Sequence, residues 1–437
     1  MAALETRYGR DALVRALRAE AAVLRARESE ARTGDAVIAT IEAAVTQRLT
    51  RDATPSLRRV INATGVILHT NLGRAPLGAD AAARVAALAA GYTNLEYDLE
   101  AGTRGRRDTH AERDLCSLTG AEAAVVVNNN AAATLIVLTA IAAGREVIIS
   151  RGELVEIGGG FRVPDVLAQS GAILREVGTT NRTRAVDFEA PLASERARAV
   201  LRVHPSNFTM SGFVESPDPF DVAELAHRYG AIVIDDLGSG ALLDTSAYGL
   251  THEPLPTERL AAGSDVVTFS GDKLVGGPQA GLIVGRADLI ARMRRDPLAR
   301  AMRPDKVTMA GVALTLGLYR AGRATTDIPV WRMIAAPLDG LRVRAEALWA
   351  RLGDAIDVVD VRSTVGGGSL PGETLPSVAL AISARSADRV AAALRHAEPP
   401  VIGRIEDGRI ILDLRTVDPA QDGELAASVD RALAAVR

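Results

Sequence analysis

The sequence predicts an α/β protein with a mostly parallel central sheet, a small C-terminal α+β domain and an N-terminal helical arm. Length, apolar content and the alternation of strand-like with helix-like segments support this prediction. The chain has 437 residues, enough for two or three domains, and 48% of them are hydrophobic. We place the divisions at residues 1–58, 59–328 and 329–437.

The N-terminal arm is expected to contain two helices between residues 9 and about 50, with a break at residues 33–35. The apolar positions at helical spacing are Leu13, Leu17, Ala21 and Leu24. Residues 1–60 hold 11 Arg and 8 Asp or Glu, so 11 − 8 = +3, whereas the whole chain has a formal net charge of −3. The arm is either a packed or dimerising helical module or a nucleic-acid-binding arm.

From about residue 60, short apolar runs of strand character alternate with helical stretches. The runs are residues 124–127, 146–150, 172–177, 199–203, 231–235, 265–270 and 281–284, and the helices include residues 130–143, 164–170 and 220–229. Strands joined through helices form parallel sheets that are covered on both faces. Ligands are therefore expected in the loops that follow the strands.

The C-terminal part begins with a long amphipathic stretch from Pro329 to about Leu352, which predicts a connecting helix. Strands are then expected near residues 356–363, 375–382 and 409–414, and helices near residues 387–396 and 423–436. This order predicts the smaller α+β domain.

Composition excludes several function classes. Cys116 is the single cysteine, which forbids an intramolecular disulfide and predicts a reducing compartment. The charged start does not resemble a signal peptide, and the longest apolar run, residues 131–144, is too short to span a bilayer. The six histidines show no metal-ligand spacing, so no metal site is predicted. We expect a soluble cytoplasmic protein without a membrane partner.

The most informative loop is Ser-Gly-Asp-Lys at residues 270–273, which ends a strand and precedes a glycine-rich segment. Desolvation there lowers the pKa of Lys273 and leaves a nucleophilic amine, as a Schiff base with pyridoxal phosphate (PLP) requires. Ser270 is expected to donate to the cofactor phosphate. The alternative is a solvated turn lysine.

A second loop, Asn-Asn-Asn-Ala-Ala-Ala at residues 128–133, lies between a strand and a helix. Helix N-termini hold phosphate through free N–H groups, so Asn129 and Asn130 are candidate cofactor residues. An ordinary helix cap is the alternative.

Two further loops supply groups for a pyridine ring. Asp235 ends a buried strand and can pair with a pyridinium nitrogen. A magnesium-binding acid is the alternative, but no Gly-x-x-x-x-Gly-Lys-[Ser/Thr] loop accompanies it. His204 and Asn207 can reach the phenolic oxygen of the ring. The order of phosphate cradle, acid and lysine is that of fold-type-I PLP enzymes.

Two basic groups remain. Arg300 and Arg303 are spaced i,i+3, so a helical turn would point both at one anion, although a pair of surface arginines has the same spacing. The loop at residues 102–107 carries three arginines and can form a subunit interface or an RNA contact.

Long motifs across about residues 10–420 resemble one family, the bacterial L-seryl-tRNA(Sec) selenium transferases, or selenocysteine synthases. They lie at residues 62–77, 97–100, 102–107, 128–133, 151–159, 177–181, 206–208, 270–273 and 300–306. Members usually begin with a short additional segment that the printed sequence does not contain.

The resemblance implies a homodecamer that carries PLP on Lys273 and converts seryl-tRNA(Sec) and selenophosphate to selenocysteyl-tRNA(Sec) through a dehydroalanyl intermediate. It implies that Lys273 removes the α-proton and that Asp235 keeps the ring electron-poor, with Asp272 as a candidate acid. Arg74, Arg300 and Arg303 match positions that hold selenophosphate, and the N-terminal arm matches the region that grips the tRNA.

Two alternatives stay open. One is a related PLP lyase that eliminates water or ammonia from a free small amino acid or amino-sugar acid. Such lyases tend to lack the helical arm. The other is a tRNA-binding protein with an inactive PLP domain, against which the presence of Lys273 and Asp235 argues. Arg415 lies where related enzymes often bind a substrate carboxylate, and its role is left open.

Overall fold

The computed structural model describes residues 1–26, 34–158, 160–353 and 355–436. Thr33, where the predicted break in the arm begins, and Gly159, the last residue of one family motif, lie outside the described residues. The chain divides into two compact units, Met1–Val60 and Ile61–Arg437. In the described part of the chain, no helix is both long and apolar enough to cross a membrane.

The first unit is helical, with α1 Ala2–Tyr8, α2 Arg10–Ala26 and α3 Gly34–Ala53. Its small core contains Leu13, Ala16, Val45 and Leu49. The predicted apolar stripe thus contributes Leu13 to the core, and the intervening charged side chains remain at the surface.

The second unit contains the two larger sheets. Its helices are α4 Ala79–Ala89, α5 Thr109–Thr119, α6 Asn130–Ala142, α7 Val163–Gln169, α8 Glu189–Leu192, α9 Pro219–Arg228, α10 Pro256–Ala261, α11 Ala287–Arg295, α12 Pro297–Ala301, α13 Lys306–Arg320, α14 Ala324–Asp327, α15 Pro329–Ala335, α16 Leu338–Leu352, α17 Ala387–Arg395 and α18 Asp422–Val436. Its strands are β1 Ile61–Asn62, β2 Tyr97–Asp98, β3 Thr103–Arg104, β4 Ala123–Val127, β5 Glu146–Ser150, β6 Glu156–Ile157, β7 Phe161–Arg162, β8 Ile173–Val177, β9 Ala197–Val203, β10 Ile232–Gly238, β11 Val266–Ser270, β12 Gly281–Gly285, β13 Ile356–Thr364, β14 Thr374–Ile382, β15 Val401–Ile402, β16 Arg404–Glu406 and β17 Arg409–Asp413.

The larger sheet has seven strands in the order β4-β12-β11-β10-β9-β5-β8. All pairs are parallel except those made by β12, which runs antiparallel to β11 and β4. Helices cover both faces, with α6, α7 and α11 on one and α5 and α13 on part of the other. The predicted α/β fold with a mostly parallel sheet is confirmed, and the carboxyl ends of its parallel strands meet at one edge.

The smaller sheet is antiparallel, in the order β13-β14-β17-β16, and α16, α17 and α18 share a core with it. Strand β1 pairs with β15, and Val66 bridges Thr364. The chain at residues 61–66 therefore pairs with the C-terminal part, although the predicted boundary assigned it to the larger domain. The predicted connecting helix is two helices, because Pro337 lacks the N–H that would continue α15.

Candidate active site

Lys273 lies in the connection between β11 and β12, at the carboxyl edge of the large sheet. The residue is 5% exposed, and its Nζ donates to the Gly368 carbonyl oxygen at 3.2 Å. Burial lowers the pKa of the Lys273 ammonium; the nearby Asp236 charge opposes this shift and Arg74 adds to it. This is the desolvated lysine that the sequence predicts.

Asp236 faces Lys273 and the start of α6. Its carboxylate accepts hydrogen bonds from Asn130 Nδ2 at 2.7 Å, Thr134 Oγ1 at 2.9 Å and the Gly238 N–H at 3.1 Å. Burial raises the pKa of Asp236, while these hydrogen bonds and the charge of Lys273 act to lower it. The carboxylate is thus held between the helix N-terminus and the lysine.

Asp235 was the predicted partner of the ring nitrogen. It shares a cavity with His204, but the structure places Asp236 instead of Asp235 against Asn130 and Lys273. Adjacent residues of a strand point to opposite faces, so Asp235 lies on the other side of β10 from Asp236. There it accepts a hydrogen bond from Ser264, and Arg259 Nε lies 4.0 Å from its Oδ1. We therefore move the expected role to Asp236.

The loop predicted to hold a phosphate lies at the start of α6. Asn129 caps the helix, with its side-chain oxygen accepting from the Ala132 N–H at 2.8 Å. By helix geometry the N–H groups of the first turn have no acceptor within the helix, and the helix dipole favours an anion there. Asn130 connects this end to Asp236, and its Oδ1 is buried without a hydrogen-bond partner. Ser270 lies buried at the end of β11.

The segment after β9 contributes a different residue from those predicted. Asn207 donates to the Glu156 carbonyl oxygen at 2.9 Å and is exposed, while the His204 ring lies 3.2 Å from Glu253. The buried Ser206 is the residue beside the lysine: a Cβ added to Gly238 would lie 3.0 Å from Ser206 Oγ and 3.8 Å from Lys273 Nζ. The positive φ of 66° at Gly238 favours glycine, and the absence of a side chain there leaves space next to Ser206 and Lys273. The sequence pattern indicated this loop, but not Ser206 in particular.

Arg74 and Asp272 form an ion pair next to Lys273. Arg74 Nη1 donates to Asp272 Oδ2 at 2.7 Å, and Asp272 is buried while Arg74 is one-third exposed. Arg74 has a positive φ of 60°, a sparsely populated conformation for a non-glycine residue. Arg74 and Asp272 are therefore two predicted residues that do share the site of Lys273.

Arg300 and Arg303 line a separate cavity of about 490 Å³, together with Arg106, Arg107 and Glu96. Glu96 accepts from Arg303 at 2.9 Å. Burial acts to raise the pKa of Glu96, but Arg303 and neighbouring arginines lower it overall. The described lining of this cavity does not include Lys273, so one copy of the chain does not bring Arg300 and Arg303 to the lysine.

Arg415 is buried, and both Nη atoms of its guanidinium donate to backbone carbonyl oxygens, whereas its Nε has no hydrogen-bond partner. Its Nη1 donates to the Met333 and Ala336 carbonyl oxygens at 2.7 Å and 3.0 Å, and its Nη2 donates to that of Pro376 at 2.5 Å. This arginine connects the C-terminal end of α15 to the smaller sheet. Both Nη atoms that a two-point carboxylate clamp would use are thus engaged, so its position does not favour a clamp.

The site matches the needs of PLP group by group. Four features lie together at the carboxyl edge of the sheet. They are a desolvated amine, a carboxylate that accepts from Asn130 and Thr134, a helix N-terminus, and space left open by the missing side chains of Gly238 and Gly368. A Cβ on Gly368 would come within 3.0 Å of Lys273 Nζ. The fold and the site together define a fold-type-I PLP-dependent enzyme.

Comparison with known proteins specifies the family. Residues 60–418 match the family described as L-seryl-tRNA selenium transferase, and the chain belongs to that family. The protein named L-seryl-tRNA(Sec) selenium transferase from Moorella thermoacetica is 50% identical to this chain over 389 residues, which cover 86% of this chain and 82% of that protein. The protein of the same name from Hyphomonas neptunium is 48% identical over 383 residues, with coverage of 86% and 82%. The one from Geotalea daltonii is 46% identical over 442 residues, with coverage of 98% and 94%.

One solved structure adds support for the fold. D-Glucosaminate-6-phosphate ammonia-lyase superimposes with a TM-score of 0.59 at 22% identity, covering 90% of this chain and 98% of that one. At this level of identity the likeness concerns the fold alone.

Proposed function

We propose that this chain converts L-seryl-tRNA(Sec) to L-selenocysteyl-tRNA(Sec), with selenophosphate as the selenium donor. The observation that carries the proposal is the desolvated Lys273 beside Asp236, in a chain of the selenium transferase family. PLP held at Lys273 supplies an electron sink for the negative charge that develops at the serine Cα.

Asp236 is the group that keeps a proton on the ring nitrogen. A carboxylate that accepts from Asn130 and Thr134 is fixed in position, and its negative charge favours the protonated pyridine. The N–H groups at the start of α6 would hold the phosphate of bound PLP, with Ser270 as a further donor. Ser206, which lies against Gly238, would be the partner of the phenolic oxygen in place of Asn207.

Lys273 Nζ acts as the base that takes the proton from the serine Cα, since its burial favours the neutral amine. Loss of the serine hydroxyl requires a proton on the leaving oxygen. Lys273 Nζ can return to the leaving oxygen the proton that it takes from the Cα. Asp272, the candidate acid from the sequence, is next to Lys273 but is ion-paired with Arg74, so it can donate a proton only after that pair is broken. Arg74, whose charge acts on Lys273, would also attract the incoming selenium-bearing anion.

Arg300 and Arg303 are kept in the proposal as binding residues for selenophosphate. Because they line a different cavity from Lys273, this role requires a second copy of the chain to bring the two cavities together. A homo-oligomer, with the decamer that the family resemblance implies, is accordingly part of the proposal. The N-terminal helical arm would contact the tRNA. Three exposed arginines lie along one side of α2: Arg15, Arg18 and Arg25.

The competing function is elimination from a free small amino acid. Such a substrate carries a carboxylate, and Arg415 is already bonded to carbonyl oxygens. Serine esterified to tRNA has no free carboxylate to clamp. The position of Arg415 therefore favours the tRNA-borne substrate.

The test is incubation of the purified protein with PLP, seryl-tRNA(Sec) and selenophosphate, followed by hydrolysis of the ester and mass spectrometry of the released amino acid. Selenocysteine is the expected product, and Lys273→Ala should release serine only. Turnover of free serine, with none of the charged tRNA, would support the lyase instead.

A further inference from the structure

A second cavity, of about 500 Å³, lies on the other side of β10 from the Asp236 carboxylate. Its lining includes the side chains of Arg202, near the carboxyl end of β9, and of Asp235, which pairs with it from the middle of β10. The proposed chemistry uses neither side chain. This volume is in the range of small-molecule sites.

Charged atoms without hydrogen-bond partners border this cavity. Arg202 is only 8% exposed and donates through Nε to Glu153 Oε1 at 2.9 Å, yet its Nη1 has no partner. Glu153 Oε2 and Arg259 Nε are likewise buried without partners. Glu253 Oε1 lies 3.2 Å from His204 Nε2 but makes no aligned hydrogen bond. Buried polar atoms are normally paired, so two donors and two acceptors in one lining indicate an absent ligand.

The rest of the lining includes apolar side chains. Phe208, Met210, Val214 and Leu370 are among them. A ligand suited to this cavity therefore has an apolar body and a polar edge that both accepts and donates hydrogen bonds.

These features discriminate between classes of ligand. A metal cation is disfavoured by three arginines in the lining, and a phosphate is disfavoured by five carboxylates, those of Glu153, Glu215, Asp235, Glu253 and Glu373. A purely aliphatic group would leave the charged atoms unpaired. An adenine base fits, because its faces are apolar and its edge offers an amino donor beside ring-nitrogen acceptors.

The cavity is next to the reacting position. His204, in its lining, donates its backbone N–H to the Asp236 carbonyl oxygen at 2.9 Å. Leu370, also in the lining, is two residues from Gly368, which accepts from Lys273 Nζ. In the proposed substrate the serine is esterified to the ribose of a terminal adenosine, so the base must lie within a nucleoside's length of Lys273.

We propose that this cavity binds the adenine base at the 3′ end of the tRNA, with Glu253 accepting from its amino group and Arg202 donating to a ring nitrogen. The inference rests on the proposed function. It adds a site that selects the terminal nucleotide and positions the seryl ester at the lysine. A free adenine nucleotide has the same chemistry and is the competing source of the ligand.

The test compares seryl-tRNA(Sec) ending in adenosine with the same tRNA ending in inosine, which replaces the amino donor by a carbonyl and the adjacent ring acceptor by a donor. We expect kcat/KM for adenosine to exceed that for inosine about tenfold, mainly through KM. Glu253→Gln supplies a donor as well as an acceptor and should reduce the preference to threefold or less. Equal use of both tRNAs by the native protein, or an undiminished preference in the variant, would overturn the inference.

A second variant keeps the test informative if Glu253→Gln does not fold. Val214→Trp fills the cavity from its rim and should raise KM for the adenosine-ended tRNA at least tenfold. Val186→Trp, at an exposed position outside the lining, is the matched control and should behave like the native protein. Equal KM values for the two tryptophan variants would refute the assignment.

Adenosine 5′-monophosphate distinguishes the two sources. We expect it to compete with seryl-tRNA(Sec) only weakly, and less with Val214→Trp. Strong binding of the nucleotide without any effect of the terminal base would make this a free-nucleotide site and overturn the inference. Absence of turnover with either tRNA would instead contradict the proposed function.

Discussion

Replacing Asp236 by Asn tests whether Asp236, and not Asp235, is the residue that pairs with the ring nitrogen of PLP. The substitution keeps the shape of the side chain and an oxygen that can accept from Asn130 or Thr134, which bond to Asp236 at 2.7 Å and 2.9 Å. It removes the negative charge that would hold a proton on the ring. Asp235→Asn is the matched control, since it makes the same chemical change on the opposite face of β10.

The magnitude follows from the loss of one charge-assisted hydrogen bond at a buried position. Such a bond is worth about 1.5–3 kcal/mol. With a tenfold change in rate for every 1.36 kcal/mol, this corresponds to a fall in kcat of about 10- to 150-fold. Asp235→Asn should lower kcat by much less, because its carboxylate contacts Ser264 and Arg259 instead.

Two measurements are needed on each variant: the absorbance spectrum of the bound cofactor across pH, and kcat with seryl-tRNA(Sec). Asp236→Asn should change the spectrum and the rate together. A normal spectrum and rate in Asp236→Asn, with both altered in Asp235→Asn, would show that the sequence-based choice of Asp235 was right.

Arg300 with Arg303, Arg415 and Lys273 each give one further prediction. Arg300→Ala with Arg303→Ala should raise KM for selenophosphate at least tenfold and leave the cofactor spectrum unchanged; loss of PLP would place these arginines in the fold instead. Arg415→Met should lower the free energy of unfolding in urea by about 2–3 kcal/mol, since it leaves buried carbonyls unpaired; unchanged stability would refute that role. In the protein without cofactor, burial lowers the pKa of Lys273 below its ordinary value of about 10.4. At a pH between these two values Lys273 is protonated in the unfolded chain but neutral in the folded protein. The free energy of unfolding therefore rises with pH in this interval. Lys273→Met should therefore be more stable at neutral pH and show a flatter rise toward pH 10, whereas a lower stability would contradict the desolvation argument.

Much of the fold could be predicted from local patterns. The apolar runs became β4, β5, β9, β10, β11 and β12, because strands that are buried on both faces require continuous apolar sequence, and the run at residues 172–177 became the more exposed edge strand β8. The lysine position also followed from local sequence, as a polar residue directly after β11. Pairings between distant segments, such as Ile61 with Val401, depend on contacts that no local pattern encodes.

The site was predictable to the level of a loop but not of a side-chain direction. Asp235 and Asp236 are adjacent acids, and only the observed register shows which one faces α6. Ser206 was missed because serine in a loop is common, and its contact depends on Gly238. Arg415 had the position expected of a clamp, but its acceptors come from the separate α15 segment.

The most direct test of the central claim is to identify the lysine that carries the cofactor. The chain has two lysines, Lys273 and Lys306, and the second donates to the Gly91 carbonyl oxygen at 2.6 Å. The PLP-loaded protein would be reduced with borohydride, digested and analysed by mass spectrometry, with Lys306→Ala as the control. We predict a pyridoxyl group on Lys273, retained in the control. A pyridoxyl group on Lys306, or on neither lysine, would contradict the assignment of this site.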